Sequence, residues 1–145
     1  MPHVYRTEPP FFNDILNDLD KVLKKVTEHD CILVMGDLNC KLGRDVEKCT
    51  GRWSVHKHPN KAGEDMLELM RKHKLFAAST MFQPPRRKNN ATFLPRDKNF
   101  APTQIDYILI WTRWATSVLD CKVRWGLSIQ RWGRLYDNGL IVRVI

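Results

Sequence analysis

The feature that most narrows the fold is a short apolar run that ends on an acid. Residues 31–35, Cys-Ile-Leu-Val-Met, are continuously apolar and too few for a helix of their own, which predicts a strand buried on both faces. The run stops at Gly36-Asp37-Leu38-Asn39. A second strand is expected over residues 104–110, with Asp106 on the same face as Ile108 and Ile110 by strand alternation. A third acid, Asp137, precedes a last apolar strand at 140–145. An ionised carboxylate among apolar neighbours has to be paired, hydrogen-bonded or metal-bound, because desolvating an unpaired charge is costly. Each acid taken alone also suits a turn or cap. Together, at the ends of strands, they mark the place where open sheets build ligand sites.

The remaining pattern fills in the class. Pro9 and Pro10 suit the start of a helix, and Phe12, Ile15, Leu16, Leu19, Val22, Leu23 and Val26 follow at spacings of three and four. Asp14, Asp18 and Asp20 precede Lys21, Lys24 and Lys25, an order that complements the helix dipole. Residues 40–60 hold Gly43, Gly51, Pro59 and Asn60 and are expected to form a long surface loop. A second helix is expected over 62–73, anchored by Met66, Leu67, Leu69 and Met70, and further strands over 75–81, 91–94, 118–125 and 139–145. Helices mixed with strands, the strands dominating the second half, suit an α/β sandwich with a largely antiparallel or mixed sheet. At 145 residues this is one domain.

Lys and Arg number 24 against 16 Asp and Glu, a net charge of +8. A surplus of that size favours polyanions, nucleic acid before anionic membrane, although it also serves as a solubilising surface. At 43% hydrophobic residues, disorder does not describe the whole chain. No apolar run reaches the length of a membrane span, and residues 1–10 lack the apolar stretch of a signal peptide. The cysteines, Cys31, Cys40, Cys49 and Cys121, form no CxxC pair and favour a reducing, intracellular setting, nucleus or cytoplasm. Cys31 is expected in the core. His56 and His58 flank Lys57 without further ligands at zinc spacing. Hard carboxylate and amide oxygens are instead the donors of Mg²⁺, and no P-loop, G-x-S-x-G or G-x-G-x-x-G is present.

Met35-Gly36-Asp37-Leu38-Asn39, then Ala91-Thr92-Phe93, then Gln104-Ile105-Asp106-Tyr107-Ile108 form an ordered set. That set resembles the endonuclease/exonuclease/phosphatase superfamily, also called DNase I-like. It is most similar to the endonuclease domain of non-LTR retrotransposons. The tail Arg131-Trp132-Gly133-Arg134, Asp137 and Gly139-Leu140 further resembles RTE-type elements and the craniofacial development protein 2-like sequences derived from them. The resemblance implies phosphodiester hydrolysis of DNA dependent on Mg²⁺, with Mn²⁺ as its substitute. It implies that Asp37 activates or orients the attacking water, that Asn39 holds the phosphate, and that Thr92 lies on a strand beside the DNA. It further implies that Asp106 orients a catalytic histidine and that Asp137 lies close to the metal.

Two departures follow from the same likeness. The match begins at Met1-Pro2-His3, where a tyrosine motif of the family's first half is ending, and the family's metal-binding glutamate has no counterpart. The chain is thus expected to be the domain without its N-terminal half, which would leave an apolar sheet face uncovered. The residue after Asp137 is Asn138, where the family has histidine. An amide cannot shuttle a proton near neutral pH. Asn138 retains a hydrogen bond for phosphate, so it stays in the candidate catalytic set with Asp37, Asn39 and Asp106. Arg86, Arg87 and Lys88 are expected to contact phosphate, while Trp111 and Trp125 are expected to pack in the core or at its rim. Three readings remain open: an endonuclease impaired or inactive as this fragment, a catalytically dead basic nucleic-acid-binding remnant, and a truncated product without function.

Overall fold

The structure, a computed structural model, describes residues 11–85, 90–131 and 134–144, with the backbone alone from residue 124 onward. Helix α1 spans Phe12–Leu23. It docks through Phe12 and Leu23, both buried, with Leu16 and Leu19 packed beside them. Ile15 and Val22, expected on the same face, point away and are 58% and 60% exposed. Positions 12, 16, 19 and 23 form one narrow stripe, and 15 and 22 fall beside it. Helix α2 spans Lys61–Lys72, with Ala62, Met66, Leu67, Leu69 and Met70 buried. Its N-cap is Asn60, whose side-chain oxygen accepts the Gly63 N–H at 2.9 Å. Asp20 ties the two helices: its carboxylate meets Lys24 at 2.7 Å, Lys72 at 2.8 Å and His73 Nε2 at 2.6 Å. These partners, Lys24 first, hold the Asp20 carboxyl well below the usual carboxylate range.

Strands β1 (Leu33–Asp37), β2 (Leu75–Ala77) and β3 (Asp106–Trp111) form an antiparallel sheet in the order β1-β3-β2. A 3-10 turn, Ala78–Thr80, follows β2, and another, Thr112–Ser117, leads to a long hairpin. That hairpin pairs β4 (Val118–Arg131) with β5 (Arg134–Val144). The described pairs are antiparallel throughout, so of the two sheet types left open, the antiparallel one forms.

The sheet divides the core. Tyr107 and Leu109 face α1 and α2, together with Leu75 and Ala77. Ile108 and Ile110 face the opposite way and pack with Phe76, Ala78, Val118 and Cys121. Leu33 and Met35 pair with Ile110 and Ile108 and share their face, yet they are 50% and 66% exposed. The expectation of a strand buried on both sides thus fails for β1. The start of β4 covers the sheet beyond β3, and at the β1 edge no described residue takes up that role. The strand also begins two residues later than expected, which leaves Cys31 exposed rather than in the core.

Other expectations shift for local reasons. The segment 40–60 is not a surface loop alone, since Cys40, Leu42 and Cys49 are buried in the main core. Strand pairing after Leu75 stops at Ala77, where the 3-10 turn begins. Residues 91–94 form a single bridge, Phe93 to Thr103, in place of a strand.

Candidate functional site

Asp37 is the last residue of β1 and Asp106 the first of β3, and the register sets them directly opposite each other. The Leu38 N–H donates to the Ile105 carbonyl at 2.9 Å, which carries the pairing one step past the acids. Beyond it the chain turns sharply. The Asn39 N–H donates to Asp37 Oδ1 at 3.0 Å, and Asn39 has φ 47°, a left-handed conformation that asparagine tolerates. Asp37 therefore fills both roles open to it, turn former and acid at a strand end.

Thr92 sits against the start of β3. Its Oγ1 accepts the N–H of Ile105 and of Asp106, each at 3.1 Å, and its hydroxyl is hydrogen-bonded to the Asp106 side chain. It does so beside the Phe93–Thr103 bridge, not from a regular strand as the resemblance implied. Burial raises the Asp106 carboxyl above its ordinary 3.8; the Thr92 hydrogen bond lowers it, and the Asp37 charge raises it further. Two like charges directly opposite across an antiparallel pair are destabilising. The pair is relieved by a proton or by a cation.

The backbone carrying these acids is clamped from behind. The Tyr107 hydroxyl donates to the Gln104 carbonyl at 2.8 Å and accepts the Leu42 N–H at 3.2 Å, joining β3 to the turn after β1. Gln104 is fully buried; its amide donates to Ser79 Oγ at 2.9 Å, and its carbonyl oxygen accepts the Val55 N–H at 3.3 Å. The Gln104 backbone N–H donates to His56 Nε2 at 3.1 Å. Asn60 Oδ1 also accepts the Lys41 N–H at 3.0 Å, and a Cβ on Gly63 would stand 2.0 Å from the Lys41 carbonyl oxygen. The turn at 38–41 is thus pinned on the N-terminus of α2.

The structure brings together Asp37, Asn39, Thr92 and Asp106. Asp137 and Asn138 lie inside β5, not ahead of a strand as expected. Asn138 stands opposite Trp125, and Asp137 occupies a register irregularity between Trp125 and Ile129 of β4. Their side chains fall outside what is described, and so do residues Arg86, Arg87 and Lys88. Trp111, expected in packing, does pack against the main core; the Trp125 side chain is not among the described ones. No group of three or more His, Cys, Asp or Glu residues gathers among the described residues. The donor set consists of two carboxylates and the neighbouring asparagine. Hard oxygens in that number suit a cation such as Mg²⁺, which keeps several waters and takes further ligands from phosphate. His56, Asn60, Gln104 and Tyr107 were not recognised as supports of this site from the sequence. Gln104 and Tyr107 stand in the motif that carries the resemblance and Asn60 stands directly ahead of a helix, while His56 carries no signal of its own.

No protein-family model matches the chain. It is 34% identical over 110 residues to craniofacial development protein 2 of Tragulus javanicus and 33% identical over 110 residues to that of Bos taurus. Each match covers 75% of this chain but only 19% and 18% of the relatives, so the chain spans less than a fifth of their length. Among solved structures, a 3'-5' exonuclease (NExo) from Neisseria meningitidis matches with a TM-score of 0.63 at 15% identity, over 94% of this chain and 56% of its own. The likeness shows the fold: the chain is a partial α/β sandwich of the DNase I-like kind, built on antiparallel sheets.

Proposed function

We propose that this chain carries part of a phosphodiesterase site for DNA, of retrotransposon descent, impaired as the fragment 1–145. The observation that carries the reading is the facing pair Asp37–Asp106, held at strand ends in a fold shared with a 3'-5' exonuclease. Asp37 orients a water, Asn39 and Asn138 donate hydrogen bonds to phosphate oxygens, and Asp106 with Thr92 sets the far wall. Asp37, Asp106 and Asp137 offer oxygens to one divalent cation, Mg²⁺ or Mn²⁺. Such an ion, when bound, neutralises charge on the phosphate and lowers the barrier to attack. Arg86, Arg87 and Lys88 supply phosphate contacts that position DNA without reading its sequence. The partner we assign to the exposed Leu33 and Met35 is an N-terminal segment of the same domain. Support comes from their place beside the acids and from a neighbour whose chain extends beyond the 56% matched.

Nicking of supercoiled plasmid tests the reading, with Mg²⁺ and with EDTA. A Mg²⁺-dependent product from pure protein supports it; none, with or without an added first half, rejects it. The second reading, a remnant that binds nucleic acid without cutting, is favoured by the net charge of +8 and by Asn138. General acid–base help is worth about 10²–10⁴-fold in rate. On our reading, Asn138→His in the completed domain raises cleavage, and a completed domain indifferent to that change places the terminal motif elsewhere. No described helix is long and apolar enough to cross a membrane.

A further inference from the structure

His56 lies in the segment between β1 and α2, far in sequence from the acids, yet its ring meets the backbone two residues before Asp106. A backbone N–H can only donate. Since Gln104 N–H points at Nε2 at 3.1 Å, that nitrogen must offer its lone pair, so the ring is neutral with its proton on Nδ1. The next two amides, Ile105 and Asp106, both go to Thr92 Oγ1. The three consecutive N–H groups leading to Asp106 are thus satisfied by side chains of two other segments. We propose that His56 is a positioning residue for the candidate site: its neutral ring, by accepting the Gln104 amide, keeps Asp106 opposite Asp37, and protonation of the ring releases that hold.

The proposal rests on the nuclease reading only for the purpose of the clamp, not for its existence. Burial first, and then the charge of Lys41, keep the imidazole below its ordinary 6.5. Lys41 approaches from the turn after β1; Gln104 meets the ring with an uncharged amide; Lys57 and His58 follow in the chain. Because the folded ring resists protonation, its contribution is complete above pH 6.5 and is lost as pH falls through the lower folded value.

An NMR titration of the full chain tests this without a mutation. At pH 8 the ring nitrogens should report a proton on Nδ1. On acidification the Gln104 protection factor should fall about tenfold, as for loss of one buried hydrogen bond, and the Asp106 carboxyl carbon should move with the same midpoint. His56→Asn, which keeps an acceptor that does not titrate, should abolish both changes. A proton on Nε2 at pH 8, or Gln104 protection unchanged through the ring's titration, overturns the assignment. Plasmid nicking separates the two readings. If the wild type nicks and His56→Asn leaves its acid limb unchanged, the positioning role is wrong. If no protein nicks while the NMR behaviour holds, the nuclease reading fails and the clamp stands.

Discussion

The two faces of the β1-β3-β2 sheet are built from the same strands and have opposite fates. One face, with Val34, Tyr107 and Leu109, lies under α1 and α2 and is closed. The other is closed at β2 and β3 by Phe76, Ile108 and Ile110 with the start of β4, and open at β1, where Leu33 and Met35 meet solvent. Asp37 and Asp106 belong to this second face, at its end. The closed face holds the larger share of the buried side chains, and the half-open face is where the candidate site and the exposed Leu33 and Met35 meet. Exposed apolar side chains next to a polar cluster are the usual mark of an interaction surface.

The sharpest way to test that contrast is to truncate one side chain on each face. Leu109→Ala should cost about 2–5 kcal/mol in denaturant unfolding, as for other fully buried leucines. Leu33→Ala should change stability by less than about 0.5 kcal/mol. Equal losses would mean that the β1 edge is covered after all. Gly63→Ala should cost about 1–3 kcal/mol, since the added Cβ would stand 2.0 Å from the Lys41 carbonyl and must push the turn off α2. Divalent-cation affinity, measured by calorimetry, should fall in the same variant if that turn positions Asp37.

Asp106→Asn should act in the other direction. A carboxyl raised above 3.8 by burial and by Asp37 is a liability once ionised, so its share of stability is present below that value and lost as pH rises. The amide should stabilise the chain by about 0.2–1 kcal/mol at neutral pH, read in thermal unfolding, and weaken cation binding. A loss of stability on this change would show that the Thr92 hydrogen bond, or a bound cation, outweighs the repulsion from Asp37. The smallest effect is expected far from the site. Asp20→Asn removes a carboxyl held low by Lys24, Lys72 and His73. Its contribution is present above 3.8 and lost as pH falls toward its lower folded value, so wild type and variant should converge in acid. Because these partners are surface ions, added salt should narrow the gap.

Much of this architecture was legible in the amino-acid order. Helix α2 falls within one residue of its expected bounds, and α1 covers its apolar periodicity except for the last position, Val26, because a helix is specified by contacts between near neighbours. The strand expected over 104–110 forms over Asp106–Trp111, and its meeting with the end of β1 at Asp37 was legible because acids that end apolar runs have few places to go. Less legible was which faces of those elements are covered. Ile15, Val22, Leu33 and Met35 are as apolar as their buried neighbours, and no local pattern distinguishes them. Composition and spacing determine which segments can be helix or strand and where charge must gather. Tertiary structure alone decided that β1 is half-open, that Cys40 and Leu42 are core, that His56 reaches the backbone before Asp106 from a segment remote in sequence, and that Tyr107 ties β3 to Leu42. The reason is that burial and long-range hydrogen bonds depend on what lies across a gap in space, and a side chain carries no record of its partner.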